Sequence, residues 1–162
     1  MNRLPSLGPR GEGWVVIHFV LLAALAAAGL LGPAWDGMAR LATSLIGLAF
    51  LAAGVVLAAR GLRDLSDALT PLPYPRSDAQ LVETGVYAYA RHPIYGGLIL
   101  GAVGWGSLAA SPVALVLAAV LFGFFQLKSR REEIWLVQRF ADYPAYRERT
   151  RRLIPWIGRV RG

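Results

Sequence analysis

Residues 91 to 133 read RHPIYGGLILGAVGWGSLAASPVALVLAAVLFGFFQLKSRREE. Arg91, His92, Pro93 and Tyr95 open the stretch, Glu132 and Glu133 close it, and nearly everything between is apolar. A spanning helix needs about 20 mostly apolar residues, and this stretch holds two such windows, Ile94 to Ala110 and Val113 to Leu127. Ser111 and Pro112 separate them, a capping residue followed by one suited to the first turn of a helix. The reading is a tight transmembrane hairpin with titratable groups at one boundary.

Two further windows, Trp14 to Leu31 and Leu41 to Ala59, bring the expected number of spans to four. A signal peptide with Ala26 to Ala28 as its cleavage site competes for the first window; the equally apolar second window favours a hairpin. Composition agrees, with 56% hydrophobic residues, 17% charged residues and a mean hydropathy of +0.46, too apolar for an ordinary soluble domain of this size. The expected fold is therefore an all-α integral membrane protein of about four transmembrane helices, followed by a C-terminal interfacial amphipathic helix. Residues 1–60 form an N-terminal transmembrane hairpin, and residues 61–162 form the core that carries the chemistry.

The net charge of +7 does not point to nucleic acid, because the basic residues crowd the tail from Lys128 to Arg161, beside an apolar segment. Anionic lipid and the positive-inside rule account for them. Arg3 and Arg10 precede span one, and Arg60, Arg63, Arg76 and Arg91 lie between spans two and three. Both termini and the central loop are thus expected in the cytoplasm, at the inner membrane of a bacterium; high alanine, arginine and glycine with a single lysine suggest a GC-rich genome. The chain has no cysteine, which excludes disulfides, thiolate metal sites and a thiol nucleophile. No His, Asp and Glu cluster has metal-ligand spacing, and no serine has a nucleophile-elbow context.

Gly97 and Gly101, continued by Gly104 and Gly106, give span three a small-residue surface suited to close helix packing or to dimerisation; a monomeric catalytic unit is expected. In the central loop, Thr70 to Pro75 favours extended, polyproline-like geometry, a lid or a spacer. Arg91 and His92 at the positive end of span three suit a carboxylate or phosphate, or anchor a lipid headgroup. Beyond span four the helix should continue to about Phe140. Lys128 and Glu132 lie one turn apart, and Ile134, Trp135, Leu136, Val137 and Phe140 supply its apolar side. A solvated tail with a surface salt bridge is the bland alternative, but two adjacent acids in so basic a tail suit a cationic ligand better. His18, Trp14, Trp35 and Trp105 are read as a helix-end histidine and interfacial aromatics.

The run Leu81 to Tyr95, with Gly85, Tyr87, Arg91, His92, Pro93 and Tyr95, then Glu132, Glu133, Leu136, Phe140, Tyr143, Tyr146, Ile154 and Pro155, resembles the isoprenylcysteine carboxyl methyltransferase family. It is also similar to the related phospholipid N-methyltransferases. The resemblance spans Leu69 to Trp156 and implies S-adenosylmethionine as methyl donor, held in a pocket formed by the C-terminal half. It implies Gln80, Leu81, Val82, Tyr87, Arg91, His92, Pro93, Tyr95 and Glu132 as cofactor-binding residues. Lys128, Glu133 and Arg149 are implied at the reacting groups. Lys128 stands where the family often has an arginine, keeping the charge and losing the bidentate fork. The activity implied is methylation of a carboxylate, or of an amine, on a lipophilic substrate at the membrane boundary. The competing class is a non-enzymatic scaffold or transporter subunit. Transport is disfavoured because ionisable groups gather at one boundary instead of midspan.

Overall fold

The computed structural model describes residues 4–66 and 80–155. The proline-rich segment Thr70 to Pro75 lies outside them. Among the described residues five α-helices follow one another: α1 (Glu12–Leu31), α2 (Met38–Leu65), α3 (Pro93–Leu108), α4 (Pro112–Arg139) and α5 (Tyr143–Arg149), with a 3₁₀ turn over Gly85–Ala88 ahead of α3. Helices α1, α2 and α4 are long and apolar enough to cross a membrane. The remaining expected span, α3, has 16 residues, roughly 24 Å against a hydrocarbon core of about 30 Å.

Large apolar side chains cover the outside, among them Phe19, Val20 and Leu31 on α1, Leu45 and Val55 on α2, and Val116 and Phe122 on α4. Water would not tolerate so continuous an apolar surface, whereas lipid chains match it. Together with the three long apolar helices, this makes the chain a multi-pass membrane protein.

Helix α3 is held mainly by α2, through glycines on both. A Cβ built on Gly54 would lie 2.5 Å from the backbone nitrogen of Gly101 and 2.6 Å from the carbonyl of Gly97; one on Gly104 would lie 2.4 Å from the Leu51 nitrogen. Gly47, Gly54 and Gly61 recur every seven residues along the buried side of α2. Gly97 thus serves packing within the chain, against Gly54 and Ala58, whereas a Cβ on Gly101 would meet nothing within 4 Å. Without a hydrophobic driving force between helices in lipid, such close backbone approach is what holds them together.

Ser111 caps α4 as expected, accepting from the Ala114 N–H at 3.2 Å, and its hydroxyl donates to the Ala28 carbonyl of α1 at 3.0 Å. Trp105 is not interfacial: its indole N–H donates to the Leu25 carbonyl at 3.2 Å, inside the bundle and against Gly29. Trp14 is buried and donates to the Pro5 carbonyl. Helix α4 runs unbroken from Pro112 to Arg139, so the expected amphipathic extension is the second half of that helix. Its face is not solvated, because Lys128, Ser129, Glu132, Glu133 and Trp135 are all buried.

Candidate active site at one end of the bundle

The chain after α5 returns to the start of α3. Residues 89–92 and 151–152 run side by side: the Arg91 N–H donates to the Arg151 carbonyl, the His92 N–H to the Arg152 carbonyl, and the Arg151 N–H back to the Tyr89 carbonyl. Leu153 then crosses Gly96, where a Cβ would collide with its carbonyl. This brings the beginning of α3, the second half of α4 and the C-terminal segment to one end of the bundle.

His92 stands at that junction as the residue capping α3, with Pro93 in the first turn. Its ring lies between two acids, Nδ1 3.4 Å from Glu132 and Nε2 3.5 Å from Glu133. Burial pushes the imidazole toward its neutral form, but the hydrogen bonding and negative charge of Glu132 and Glu133 outweigh it, so its pKa is raised above the ordinary 6.5. The folded protein therefore holds this proton more tightly than the unfolded chain does. The resulting stabilisation is fully present below about pH 6.5 and is lost as pH rises through the raised value. The thermal midpoint in detergent is expected to fall as pH is increased above about 6.5. His92→Gln is expected to flatten that part of the profile.

The two acids are held differently. Glu132 accepts a hydrogen bond from the Tyr95 hydroxyl at 2.6 Å. Glu133 receives Arg91 Nε at 2.9 Å and faces Arg152 Nε at 3.4 Å. Arg91 is a clamp within the protein: its Nη1 also donates to the carbonyls of Arg147, at 2.9 Å, and Thr150. Tyr95 stacks with His92, at 5.5 Å and 3°, and with Phe125, at 4.6 Å and 14°. The Lys128 ammonium sits 4.9 Å from the Tyr95 ring centre, and the residue is 2% exposed. Among the described residues no carboxylate lies within 4 Å of that ammonium, so the surface salt bridge to Glu132 does not form.

Beside this buried cluster opens a cleft of about 680 Å³, lined by Gln80, Leu81, Val82, Glu83, Asp64 and Arg149 among others. Its floor is tied down by Asp64, which accepts from the Val86 N–H at 2.8 Å, and by Tyr146, whose hydroxyl donates to the Tyr87 carbonyl at 2.7 Å. Burial keeps the Tyr87 and Tyr146 phenols neutral by raising both pKa values, so Tyr146 remains a donor.

The expected site residues thus fall into two adjoining groups. Arg91, His92, Pro93, Tyr95, Lys128, Glu132 and Glu133 meet in the buried cluster. Gln80, Leu81, Val82 and Arg149 line the cleft, and Tyr87 joins the two. Arg149 stands apart from Lys128, with its side chain 55% exposed and paired with Glu83. Three participants were not singled out in the sequence. Arg152 lay hidden in the basic tail and Asp64 at the end of an apolar helix. His18, read as a helix-end residue, lies in α1 with its ring 5.0 Å from Phe125 and 6.4 Å from Tyr95.

Comparison with known proteins gives this geometry a family. The phospholipid methyltransferase family model matches residues 42–143. Protein-S-isoprenylcysteine O-methyltransferase of Saccharomyces cerevisiae is 41% identical over 83 residues, covering 50% of this chain and 35% of that protein. The nickel-cobalt-cadmium resistance protein NccN of Alcaligenes xylosoxydans xylosoxydans is 26% identical over 148 residues, covering 91% of this chain and 64% of that protein. A solved structure of the eukaryotic intramembrane Ras methyltransferase, isoprenylcysteine carboxyl methyltransferase, has the same fold, with a TM-score of 0.63 at 24% identity, over 100% of this chain and 55% of that one. The chain spans about a third of the length of the yeast relative. It belongs to the phospholipid methyltransferase family.

Proposed function

We propose that this protein is an S-adenosylmethionine-dependent methyltransferase that methylates a carboxylate on a lipophilic substrate at the membrane boundary. The observation that carries the reading is the buried cluster of His92, Tyr95, Lys128, Glu132 and Glu133, adjoining an open cleft at one end of an otherwise apolar bundle. A scaffold needs no such cluster, since several buried ionisable groups at one point are costly unless they act.

The residues present fit the cofactor. Its ammonium and sulfonium are cationic and its carboxylate anionic. The site offers Glu132, fixed from two sides by Tyr95 and His92, together with the apolar cleft walls at Leu81 and Val82. When bound, S-adenosylmethionine supplies an electrophilic methyl carbon on sulfur. The protein's part is to align the nucleophile and exclude water. Lys128 orients a carboxylate, and the ring stack of His92, Tyr95 and Phe125 keeps the approach dry.

The pairing of the acids and His92 favours a carboxylate over an amine. Methylating an amine releases a proton, so a base is needed. His92 lies between Glu132 and Glu133, and Glu133 is also engaged by Arg91 and Arg152, so none of these groups stands free as a base. A carboxylate requires no base. The positive residues around this end of the bundle support a cytoplasmic active site in a bacterial inner membrane, acting as a monomeric unit.

The test is methyl transfer from labelled S-adenosylmethionine to a membrane lipid extract, with the product treated with alkali. Label released as methanol identifies a methyl ester and supports the reading. Alkali-stable label on an amine would replace it with phospholipid N-methylation, and no incorporation by folded protein would favour the scaffold.

A further inference from the structure

Lys128 poses an electrostatic problem that the cluster does not solve by itself. Glu133 faces Arg91 and Arg152, and Glu132 is occupied by Tyr95 and His92. Lys128 is left 2% exposed with only the Tyr95 ring face beneath its ammonium. A cation–π contact offsets part of the cost of burying a charge, and a counter-ion offsets more.

His18 of α1 adjoins the same aromatic stack as Lys128, its ring centre 6.4 Å from that of Tyr95, over which the Lys128 ammonium lies. The ring is packed edge-on against Phe125 and Tyr95, so its position is fixed. Its Nε2 is buried and makes no hydrogen bond among the described residues. A buried imidazole nitrogen without a partner is itself unfavourable. Thus a cation lacking an anion and a donor lacking an acceptor adjoin one aromatic stack, at the junction of α1, α3 and α4. A carboxylate satisfies both at once, one oxygen on the ammonium and the other accepting from the imidazole N–H.

We infer that His18 and Lys128 together receive the carboxylate of the lipophilic substrate, which makes α1 a specificity-determining element. The inference rests on the methyltransferase reading for its substrate and adds a residue outside the stretch matched by the family model. Its chemistry selects acids over amines and esters: an ammonium headgroup would be repelled by Lys128, and a methyl ester, the product, loses the charge and leaves.

The test uses palmitate as probe, titrated into the full chain in zwitterionic nanodiscs, with methyl palmitate and hexadecylamine as competitors and S-adenosylhomocysteine binding measured in parallel. Palmitate is expected to bind saturably and the two competitors not to displace it. His18→Gln, His18→Phe and Lys128→Gln are each expected to weaken palmitate by at least about tenfold, the effect of one charge-assisted hydrogen bond. Combining His18→Phe with Lys128→Gln is expected to add little to the larger single effect, because both serve one ligand. S-adenosylhomocysteine binding by each variant shows that it is folded. Palmitate bound equally well by His18→Phe, or displaced equally by its methyl ester, would overturn the inference and leave the methyltransferase reading standing. Failure of S-adenosylhomocysteine to bind the unaltered protein would instead remove that reading.

Discussion

Glu133→Ala is expected to destabilise the protein by about 3–5 kcal/mol, because removing one member of a buried ion-pair network leaves its partners charged and unpaired. Two guanidinium groups and an imidazole converge on this one carboxylate: Arg91 at 2.9 Å, Arg152 at 3.4 Å and His92 at 3.5 Å. Arg91 and Arg152 belong to the paired segments 89–92 and 151–152, so the loss acts directly on the join between α3 and the C-terminal strip. The thermal midpoint in detergent is the measure. Protease cleavage near residue 150 should rise before the apolar spans unfold, since the transmembrane packing does not depend on Glu133. Glu133→Gln keeps an acceptor and should fall between the two.

Gly54→Val should be comparably damaging for an unrelated reason. Its first side-chain carbon would sit 2.5 Å from the Gly101 nitrogen and 2.6 Å from the Gly97 carbonyl, both backbone atoms that cannot swing aside. Helix α3 would have to move away from α2, and α3 carries His92 and Tyr95 at its start. A loss at the upper end of overpacking costs, about 3 kcal/mol, is expected, with cofactor binding impaired although Gly54 lies far along the helix from the site. Gly123→Val serves as control, because a Cβ there meets nothing within 4 Å. A Gly54→Val protein with the midpoint of the Gly123→Val protein would mean that α2 and α3 do not pack as described.

What the sequence made legible was whatever depends on local pattern. Hydropathy located the spans. Ser111 followed by Pro112 marked the hairpin turn, and the spacing of Lys128, Glu132 and Glu133 carried the helix past the apolar window. The association of Arg91, His92 and Tyr95 with the two acids followed from the ordered motifs, since no periodicity links residues some forty positions apart. What stayed hidden depends on which distant surfaces meet. Gly47, Gly54 and Gly61 read as three scattered glycines until α3 lies across them. Arg152 looked like one more basic residue in a tail rich in them, and only the return of the chain along residues 89–92 aims it at Glu133. His18 looked like a helix-end residue because its partners, Phe125, Tyr95 and Lys128, come from α3 and α4. Lys128 and Glu132, one turn apart on the same helix, suggested a surface pair; burial gives each a different neighbour, Tyr95 offering its ring face to one and its hydroxyl to the other.

The most direct test of the central claim is calorimetric titration of S-adenosylhomocysteine into the full chain in nanodiscs, beside Glu132→Gln. That substitution keeps an acceptor for Tyr95 and removes the charge. Saturable binding to the unaltered protein, weakened by about tenfold or more in a Glu132→Gln protein that still unfolds cooperatively, is the predicted result. No binding by the unaltered protein, while its midpoint shows it folded, would contradict the account.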